Sequence, residues 1–123
     1  MINPASYFEI PVVNMQRAIH FYSYVFDISF EEEIFDGLEM AYFPCNENAT
    51  GSTGTLVCGE IYIPTHKGII LYLHTDDIAQ TLQRTIDQGS LVLFPIHRHE
   101  KAGFAVAEFQ DSEGNRIGLH QRF

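Results

Sequence analysis

The predicted order of secondary structure repeats once along the chain, and this repeat constrains the fold more than any other sequence feature. In each half, the pattern of residues predicts one strand, one helix and three further strands. "IPVVNMQRA" (10–18) overlays "LHTDDIAQT" (73–81) at an offset of 63 residues, which pairs Asn14 with Asp77. Both residues are of the type that caps the start of a helix. Two units of about 60 residues with the same element order predict two similar sheets, each with a helix on one face.

Alternation of apolar and polar residues predicts eight strands, at residues 7–12, 28–34, 38–43, 55–59, 69–74, 91–96, 104–110 and 116–121. The predicted buried stripes of the two helices are Ala18, Ile19, Tyr22, Val25 and Phe26 in the first, and Ile78, Leu82 and Ile86 in the second. Gly89 is placed to end the second helix, and Asp36-Gly37 to form a tight turn. We therefore predict an α+β fold in which one domain, residues 1–123, contains two βαβββ modules at about 5–60 and 68–122. The modules form paired curved mixed sheets around a cup, with the helices outside.

The net charge limits the kinds of partner that the chain is expected to bind. Seven basic and sixteen acidic side chains give a net charge of −9. Nucleic acids and anionic membranes select basic surfaces, so neither is an expected partner. The sequence has no apolar run of the ~18 residues that a membrane span needs, and its first ten residues do not resemble a signal peptide. We expect a cytoplasmic protein whose two cysteines, Cys45 and Cys58, are reduced.

Three segments together resemble the vicinal oxygen chelate superfamily, which includes glyoxalase I, the bleomycin-resistance proteins and the extradiol dioxygenases. They are "YFEIPVVNMQRAIHFYSYVF", "DDIAQTLQRTIDQG" and "FQDSEGNRIGLHQ". The opening V-x-[DN]-M-x-R-A-x-x-FY pattern and the closing DxxGNxIxL pattern are its specific parts, and the resemblance spans nearly the whole chain. Within the superfamily, the chain looks most like small glyoxalase-like proteins that share the YFEIPV opening. The resemblance implies a fold of two βαβββ modules around a ligand cup.

The resemblance also implies where a metal would bind. In metal-dependent members of the superfamily, four ligands line the cup, two from each module, on the first and last strands. The resemblance places these positions at Tyr7, Thr55, Ile70 and Gly118. A divalent ion in such a site needs imidazole or carboxylate donors, and these four residues supply none. We therefore predict no metal and no other cofactor, with a divalent metal at a displaced site as the alternative.

Neighbours of these positions are also predicted to face the cup, because side chains two residues apart on a strand share a face. Glu9 shares the face of Tyr7, and His120 shares the face of Gly118. Glu9 is interpreted as a general base or as a hydrogen-bond acceptor for a ligand, and His120 as its acid/base or orienting partner. The alternative is that Glu9 pairs with His120 or Tyr7 only to satisfy polar groups in a closed pocket. The predicted ligand-binding residues are Tyr7, Tyr42, Ile70, Tyr72, Gly118 and Arg98.

Two further sets of residues invite a metal-binding interpretation. Glu9, His74 and His120 are two histidines and a carboxylate, a donor set for a displaced site. His74 is alternatively a residue at the entry to the second helix. "HRHE" (97–100) is predicted to be an exposed connection, with metal binding or a lid role as alternatives. Arg98 in this segment is expected to attract an anionic ligand, unless it is simply a solvated loop charge.

The sequence supports three hypotheses for function. The first is a small-molecule-binding protein of the glyoxalase/bleomycin-resistance kind that lacks the usual metal ligands, and that is either a binder or a metal-independent enzyme using Glu9 and His120. The second is a metal-dependent lyase, isomerase or dioxygenase with a displaced metal site. The third is a non-catalytic interaction module with a filled cup. Members of the superfamily commonly dimerise, so a homodimer is expected, with the cup formed either within one chain or between subunits.

Overall fold

The chain folds into two four-stranded sheets and two helices in a computed structural model that describes residues 3–123. The first half contains β1 (Phe8–Pro11), α1 (Met15–Phe26), β2 (Glu31–Phe35), β3 (Leu38–Tyr42) and β4 (Gly54–Cys58). The second half contains β5 (Leu71–His74), α2 (Ile78–Asp87), β6 (Val92–His99), β7 (Phe104–Gln110) and β8 (Arg116–Arg122). Sheet A has the strand order β1-β4-β3-β2, and sheet B has the order β5-β8-β7-β6. The predicted α+β fold of two βαβββ modules is confirmed.

The register of the strands follows the repeat seen in the sequence. In sheet A, β1 runs parallel to β4 with Phe8 opposite Gly54. In sheet B, β5 runs parallel to β8 with Leu71 opposite Ile117. Both members of the second pair lie 63 residues after those of the first, so the two sheets repeat the same parallel register. The remaining pairings, β2 with β3, β3 with β4, β6 with β7 and β7 with β8, are antiparallel.

Both helices begin where the sequence predicts caps, and the second also ends beside its predicted glycine. The Asn14 side chain accepts a hydrogen bond from the Arg17 N–H at 3.0 Å, and the Asp77 side chain accepts one from the Gln80 N–H at 3.1 Å. Each cap satisfies one of the free N–H groups of the first turn. Gly89, just beyond α2, has a φ of +82°, the left-handed conformation that glycine adopts without strain.

The helices and one face of each sheet enclose a shared hydrophobic core. Its buried members include Ile10, Val12, Ala18, Tyr22, Leu56, Ile78, Leu82, Phe109 and Leu119. Helix α1 contacts α2, and the ring of Phe21 on α1 lies 5.9 Å from the ring of Phe109 in sheet B. The two modules therefore meet through their helix-bearing sides. Across residues 3–123, no strand of sheet A is hydrogen-bonded to a strand of sheet B.

The turn between β7 and β8 also joins the two modules. Asp111 accepts a hydrogen bond from the Tyr22 hydroxyl at 2.6 Å, in the buried core. Asn115 donates from Nδ2 to the carbonyl of Pro11 at 2.8 Å. The DSEGN turn is thus fixed to the middle of α1 and to the end of β1.

Two local predictions are wrong. Ile86 was expected in the buried stripe of α2, but it is 45% exposed, and Thr81 and Thr85 are buried instead. These hydroxyls find partners inside the core: Thr81 hydrogen-bonds to Thr75 at 2.6 Å and Thr85 donates to the Leu82 carbonyl at 2.6 Å. A satisfied threonine is tolerated in the core, so the inward face of α2 is rotated relative to its most apolar stripe.

The second difference concerns the segment predicted as an exposed connection. Residues 97–99 belong to β6, where His97 lies opposite Val106 and His99 opposite Phe104. The register shifts twice, between Val92 and Phe94 and between Phe94 and His97. Proline lacks the N–H of a regular ladder and is found at such irregular positions, which explains how the strand continues through Pro95. Among the residues that the structure describes, no helix is long and apolar enough to cross a membrane.

Candidate functional site

Each sheet has one face that carries no helix, which we call its cup face. In sheet A, the strand register aligns Glu9, Thr55, Tyr42 and Glu31 in one row across this face. Tyr7 lies two residues before Glu9 on the same face, and its hydroxyl is 3.5 Å from the Glu9 carboxylate, at the outer limit of a hydrogen bond. A hydrogen bond to a glutamate, Glu33, raises the pKa of the Tyr42 hydroxyl. The predicted residues Tyr7, Glu9 and Tyr42 therefore do lie together.

An open cavity of about 700 Å³ lies on this side of sheet A. Its lining comes entirely from the first module and includes Tyr7, Ser29, Glu31, Tyr42 and Thr55. The volume is within the range of small-molecule pockets. Two tyrosine rings and a carboxylate give it both stacking surface and hydrogen-bonding groups.

The cup face of sheet B has a different composition. One row contains Tyr72, Gly118, Glu108 and Phe94, and the next row contains His74, His120, Val106 and His97. Phe104 and His99 continue the face at the end of β7 and β6. The predicted residues Tyr72, Gly118 and His120 are thus brought to one surface, and Ile70 directly precedes β5 beside them.

Three polar side chains form a hydrogen-bonded cluster around one buried carboxylate on this face. Glu108 is 7% exposed and accepts hydrogen bonds from the Tyr72 hydroxyl, at 3.0 Å, and from Arg116 Nε. Burial and the bond to Glu108 raise the pKa of the Tyr72 hydroxyl, which keeps it protonated. A Cβ atom on Gly118 would lie 2.4 Å from the Tyr72 ring, so the ring occupies the space that any side chain at residue 118 would need.

A row of four aromatic rings lies beside this cluster. The ring centroids are 4.5 Å apart for His97 and His99, 4.7 Å for His99 and Phe104, and 5.1 Å for Phe104 and His120. The last two pairs are stacked, with interplanar angles of 29° and 17°. We call His97, His99, Phe104 and His120 the ring row. It is a continuous aromatic surface that crosses three strands.

The metal positions of the superfamily do not fit a metal in this chain. The Thr55 hydroxyl is buried and donates within its own sheet, to the carbonyls of Ala41 or Leu56 at 3.0 and 2.9 Å. Gly118 offers no donor and is covered by a tyrosine ring, and Ile70 is aliphatic. Within residues 3–123, no three His, Cys, Asp or Glu side chains are grouped as a metal site would require.

Some of the predicted residues are not brought together in one chain. Glu9 lies on sheet A, whereas His74 and His120 lie on sheet B, where His74 is 2.9 Å from Asp76. Arg98 lies opposite Ala105, a core residue, so it is on the helix-bearing face of sheet B. There it pairs with Glu100 at 2.9 Å and lies 3.8 Å above the Phe123 ring.

Sequence reasoning missed Glu108 and Arg116, the charged members of the polar cluster. The signal was present in the alternation of "FAVAEFQ" (104–110), which places Phe104, Val106 and Glu108 on one face. A single glutamate in an apolar strand marks a position where a buried charge needs a partner. Arg116 lies on the adjacent strand and provides it.

The two modules differ strongly in charge. Residues 1–63 contain one basic and nine acidic side chains, a net charge of −8. Residues 64–123 contain six basic and seven acidic side chains, a net charge of −1. The cup faces share this difference. Sheet A presents Glu9, Glu31 and Glu33, whereas sheet B presents imidazole groups and a Glu108 carboxylate that is paired with an arginine.

A family model described as the Glyoxalase/Bleomycin resistance protein/Dioxygenase superfamily matches residues 5–119. The chain therefore belongs to the glyoxalase/bleomycin resistance/dioxygenase superfamily. A comparison with curated proteins gives no match.

Solved structures of this superfamily share the fold. A glyoxalase/bleomycin resistance protein from Streptomyces sp. CB03234 is 24% identical with a TM-score of 0.71, over 94% of this chain and 98% of that one. TnmS3, an antibiotic binding protein from the same organism, is 22% identical with a TM-score of 0.67, over 99% and 98%. A glyoxalase I variant from Zea mays is 13% identical with a TM-score of 0.69, over 96% of this chain but only 46% of that one. The chain thus spans less than half of the plant enzyme.

Proposed function

We propose that the chain is a small-molecule-binding protein that holds an organic ligand, without a metal, in a cup completed by a second copy of the chain. The observation that carries the proposal is the open cavity on sheet A, which has tyrosine and carboxylate groups but a lining from one module only. The two modules of one chain meet through their helices. The cup face of sheet A is therefore free to pair with the cup face of sheet B in another copy.

Charge and exposure support this pairing. The face of sheet A is acidic, whereas the carboxylate on the face of sheet B is already paired with Arg116, so the two faces meet without repulsion between like charges. Large side chains with apolar rings are exposed at the same surfaces, with Tyr7 64%, Tyr72 44% and Phe94 40% exposed. Exposed apolar side chains grouped in this way mark an interaction surface. A two-fold dimer pairs A with B twice and so forms two equivalent cups.

The structural neighbours support the ligand class. TnmS3 is an antibiotic binding protein, and it matches nearly the whole length of this chain. We therefore propose an antibiotic-like organic compound as the ligand, bound for sequestration rather than turnover.

The test measures mass and ligand-dependent stability on the same preparation. Light scattering should give twice the chain mass of 14.0 kDa. Thermal unfolding, followed by circular dichroism, is then measured with bleomycin and a panel of aromatic antibiotics. A ligand present at about 100 times its Kd stabilises the folded state by about 2.7 kcal/mol, which raises Tm by several degrees. A monomer with no stabilising compound would contradict the proposal.

We also propose that no divalent ion is required, because the metal positions carry tyrosine, threonine, isoleucine and glycine. Elemental analysis of untagged protein, grown in metal-supplemented medium, should find less than about 0.1 equivalent of any transition metal, since a functional site in this fold needs several nitrogen or oxygen donors. Near-stoichiometric metal would contradict this and favour a displaced site.

A metal-independent enzyme is the second candidate, favoured by the polar pair predicted from the sequence. In the paired arrangement, Glu9 of one copy and His120 of the other belong to the same cup, as base and acid. Glu9→Gln should then abolish conversion of a bound compound while its affinity changes less than about threefold. If bound compounds are recovered unchanged from the unaltered protein, the binding role stands alone.

A further inference from the structure

The cup face of sheet B combines stacked rings with an arginine held in a fixed position. From this combination we infer that the face is the stacking wall of the ligand site, and that the ligand is a flat aromatic ring system carrying one carboxylate-type acidic group. The inference rests on the proposed function and narrows its ligand class.

The ring row supplies the aromatic surface. His99, Phe104 and His120 are stacked on one another at 4.7 and 5.1 Å, and the edge of His97 meets His99 at 4.5 Å. Packing between the rings restricts their rotation, so little side-chain entropy is lost when a further ring stacks on them. His97 and His99 are exposed, and Phe104 and His120 are half-buried. Because Phe104 is stacked between His99 and His120, a ligand meets the exposed edges of these rings.

Arg116 supplies the anion anchor. Its Nε donates to Glu108, and its side chain is 34% exposed. The terminal Nη groups have no hydrogen-bond partner within residues 3–123, so they are available to a carboxylate. Because Glu108 is buried and also holds the Tyr72 hydroxyl, it fixes the guanidinium without leaving a free negative charge on the face. A charge-assisted bond from a fixed guanidinium is stronger than a neutral hydrogen bond.

The spacing between anchor and rings suits one small ring system. Val106 precedes Glu108 by two residues and lies about 7 Å from it along β7, on the side of the ring row. Between Arg116 and the rings, the floor of the site consists of the short Val106 side chain and the Tyr72 ring, which lies over Gly118. A ligand with its acidic group at Arg116 therefore extends its rings over Val106 and against His120 and Phe104.

The opposite wall limits the ligand to one acidic group. In the paired arrangement, Glu9, Glu31 and Glu33 of the second copy face the ring row. A second anionic group at the far edge of the ligand would be repelled by these carboxylates. Hydroxyl or amine donors at that edge would be accepted by them.

The experiment titrates three matched probes into the full-length protein: naphthalene-2-carboxylate, naphthalene-2-carboxamide and cyclohexanecarboxylate. The chain has no tryptophan, so naphthalene fluorescence reports binding of the first two probes directly. Calorimetry measures the third. We expect the naphthalene carboxylate to bind at least about tenfold more tightly than the other two, since only it engages both the arginine and the rings.

Variants locate the site on the correct face. His99→Ala should weaken the naphthalene carboxylate about two- to tenfold, by removal of one stacking ring. Arg116→Lys keeps a charge beside Glu108 but removes the fixed guanidinium, and it should weaken the carboxylate more than the carboxamide. Arg98→Gln is the matched control: it removes an arginine from the helix-bearing face of the same sheet and should leave all three affinities unchanged.

Equal affinity for the carboxylate and the carboxamide overturns the acidic-group assignment, and equal affinity for the cyclic and aromatic carboxylates overturns the stacking assignment. An effect of Arg98→Gln as large as that of Arg116→Lys places the site elsewhere and overturns both. If none of the probes binds, the inference also fails. The proposed function fails on a separate result, namely a monomeric protein that no antibiotic-like compound stabilises.

Discussion

Gly118 and Tyr72 form a packing contact at a position where the resemblance to metal-dependent members of the superfamily implies a ligand. Because Gly118 has no side chain, the Tyr72 ring fits over it and the Tyr72 hydroxyl reaches Glu108. The sequence was sufficient to predict that the metal ligands are absent. It could not predict what fills the space, because the ring and the glycine meet only through the parallel pairing of β5 and β8.

Gly118→Ala should destabilise the protein by about 1 kcal/mol, because the new Cβ would lie 2.4 Å from the Tyr72 ring. The ring is partly exposed and can rotate away, which limits the cost. In a Tyr72→Ala background the same glycine substitution should cost less than about 0.5 kcal/mol, since the obstacle has been removed. Urea unfolding at pH 7 measures both values.

Gly54→Ala is the matched control. Its Cβ would lie 2.2 Å from the backbone carbonyl of Phe8, which cannot rotate away. Its cost should exceed that of Gly118→Ala and should not change in the Tyr72→Ala background. Equal costs for Gly118→Ala with and without Tyr72 would show that the ring is not the obstacle.

Helix α1 depends on a group from the other module. Glu113 accepts hydrogen bonds from the N–H groups of Val13 at 2.9 Å and Asn14 at 2.8 Å, and it pairs with Arg17 at 2.7 Å. Its side chain is fully buried. Burial disfavours the charged carboxylate, but the hydrogen bonds from Arg17 and from the backbone outweigh this effect and lower the pKa of Glu113 to about 2. A negative charge at a helix N-terminus is also favoured by the helix dipole.

Glu113→Gln should destabilise the protein at pH 7 by about 2 kcal/mol, less than the full shift implies because Arg17 is half-exposed. The folded pKa is below the ordinary value of 4.5. The stabilisation is therefore complete above pH 4.5 and is lost as the pH falls from about 4.5 to about 2. Urea unfolding across this range should show a loss of stability that is smaller in Glu113→Gln.

Glu100→Gln provides the comparison, because Glu100 pairs with Arg98 in an exposed position. Exposed pairs contribute about 0–1 kcal/mol. Identical pH profiles for Glu113→Gln and the unaltered protein would contradict the assignment.

At the scale of elements, the prediction succeeded where the signal was local and failed where it was not. The caps at Asn14 and Asp77 were recognised because a cap depends on its own side chain and the next three residues. Ile86 was wrongly predicted to be buried. The face of α2 that packs into the core carries Thr81 and Thr85 instead, whose hydroxyls have hydrogen-bond partners there. The end of β6 was missed because Pro95 is an interruption signal, and only pairing with β7 carries the strand past it.

At the scale of the whole molecule, the charge difference between the modules supplies the prediction about assembly. Glu31 lies on the cup face of sheet A, opposite Tyr42, whereas Glu39 lies on the other face of the same sheet, opposite Ile34 and Cys58. Only the first is placed to contact a second copy in the proposed dimer.

Glu31→Lys should raise the dimer Kd at least about fivefold in 50 mM NaCl, because it places a positive charge against the arginine- and imidazole-bearing face. The effect should shrink in 500 mM NaCl, where exposed charges are screened. Glu39→Lys changes the net charge equally and should leave Kd within about twofold. Sedimentation equilibrium measures the dimer Kd of the unaltered protein and of the two variants. Equal effects of the two substitutions would argue against the proposed pairing.

The hydrogen bonds between Glu113 and the start of α1 also affect when the protein becomes stable during its synthesis. Val13 and Glu113 are 100 residues apart, so the first helix is made long before the carboxylate that caps it. A nascent chain that has released only the first module still lacks Asp111, the partner of the buried Tyr22 hydroxyl. We expect the amino-terminal module to stay open to proteases and chaperones until Asp111 and Glu113 have left the ribosome, when both modules close together.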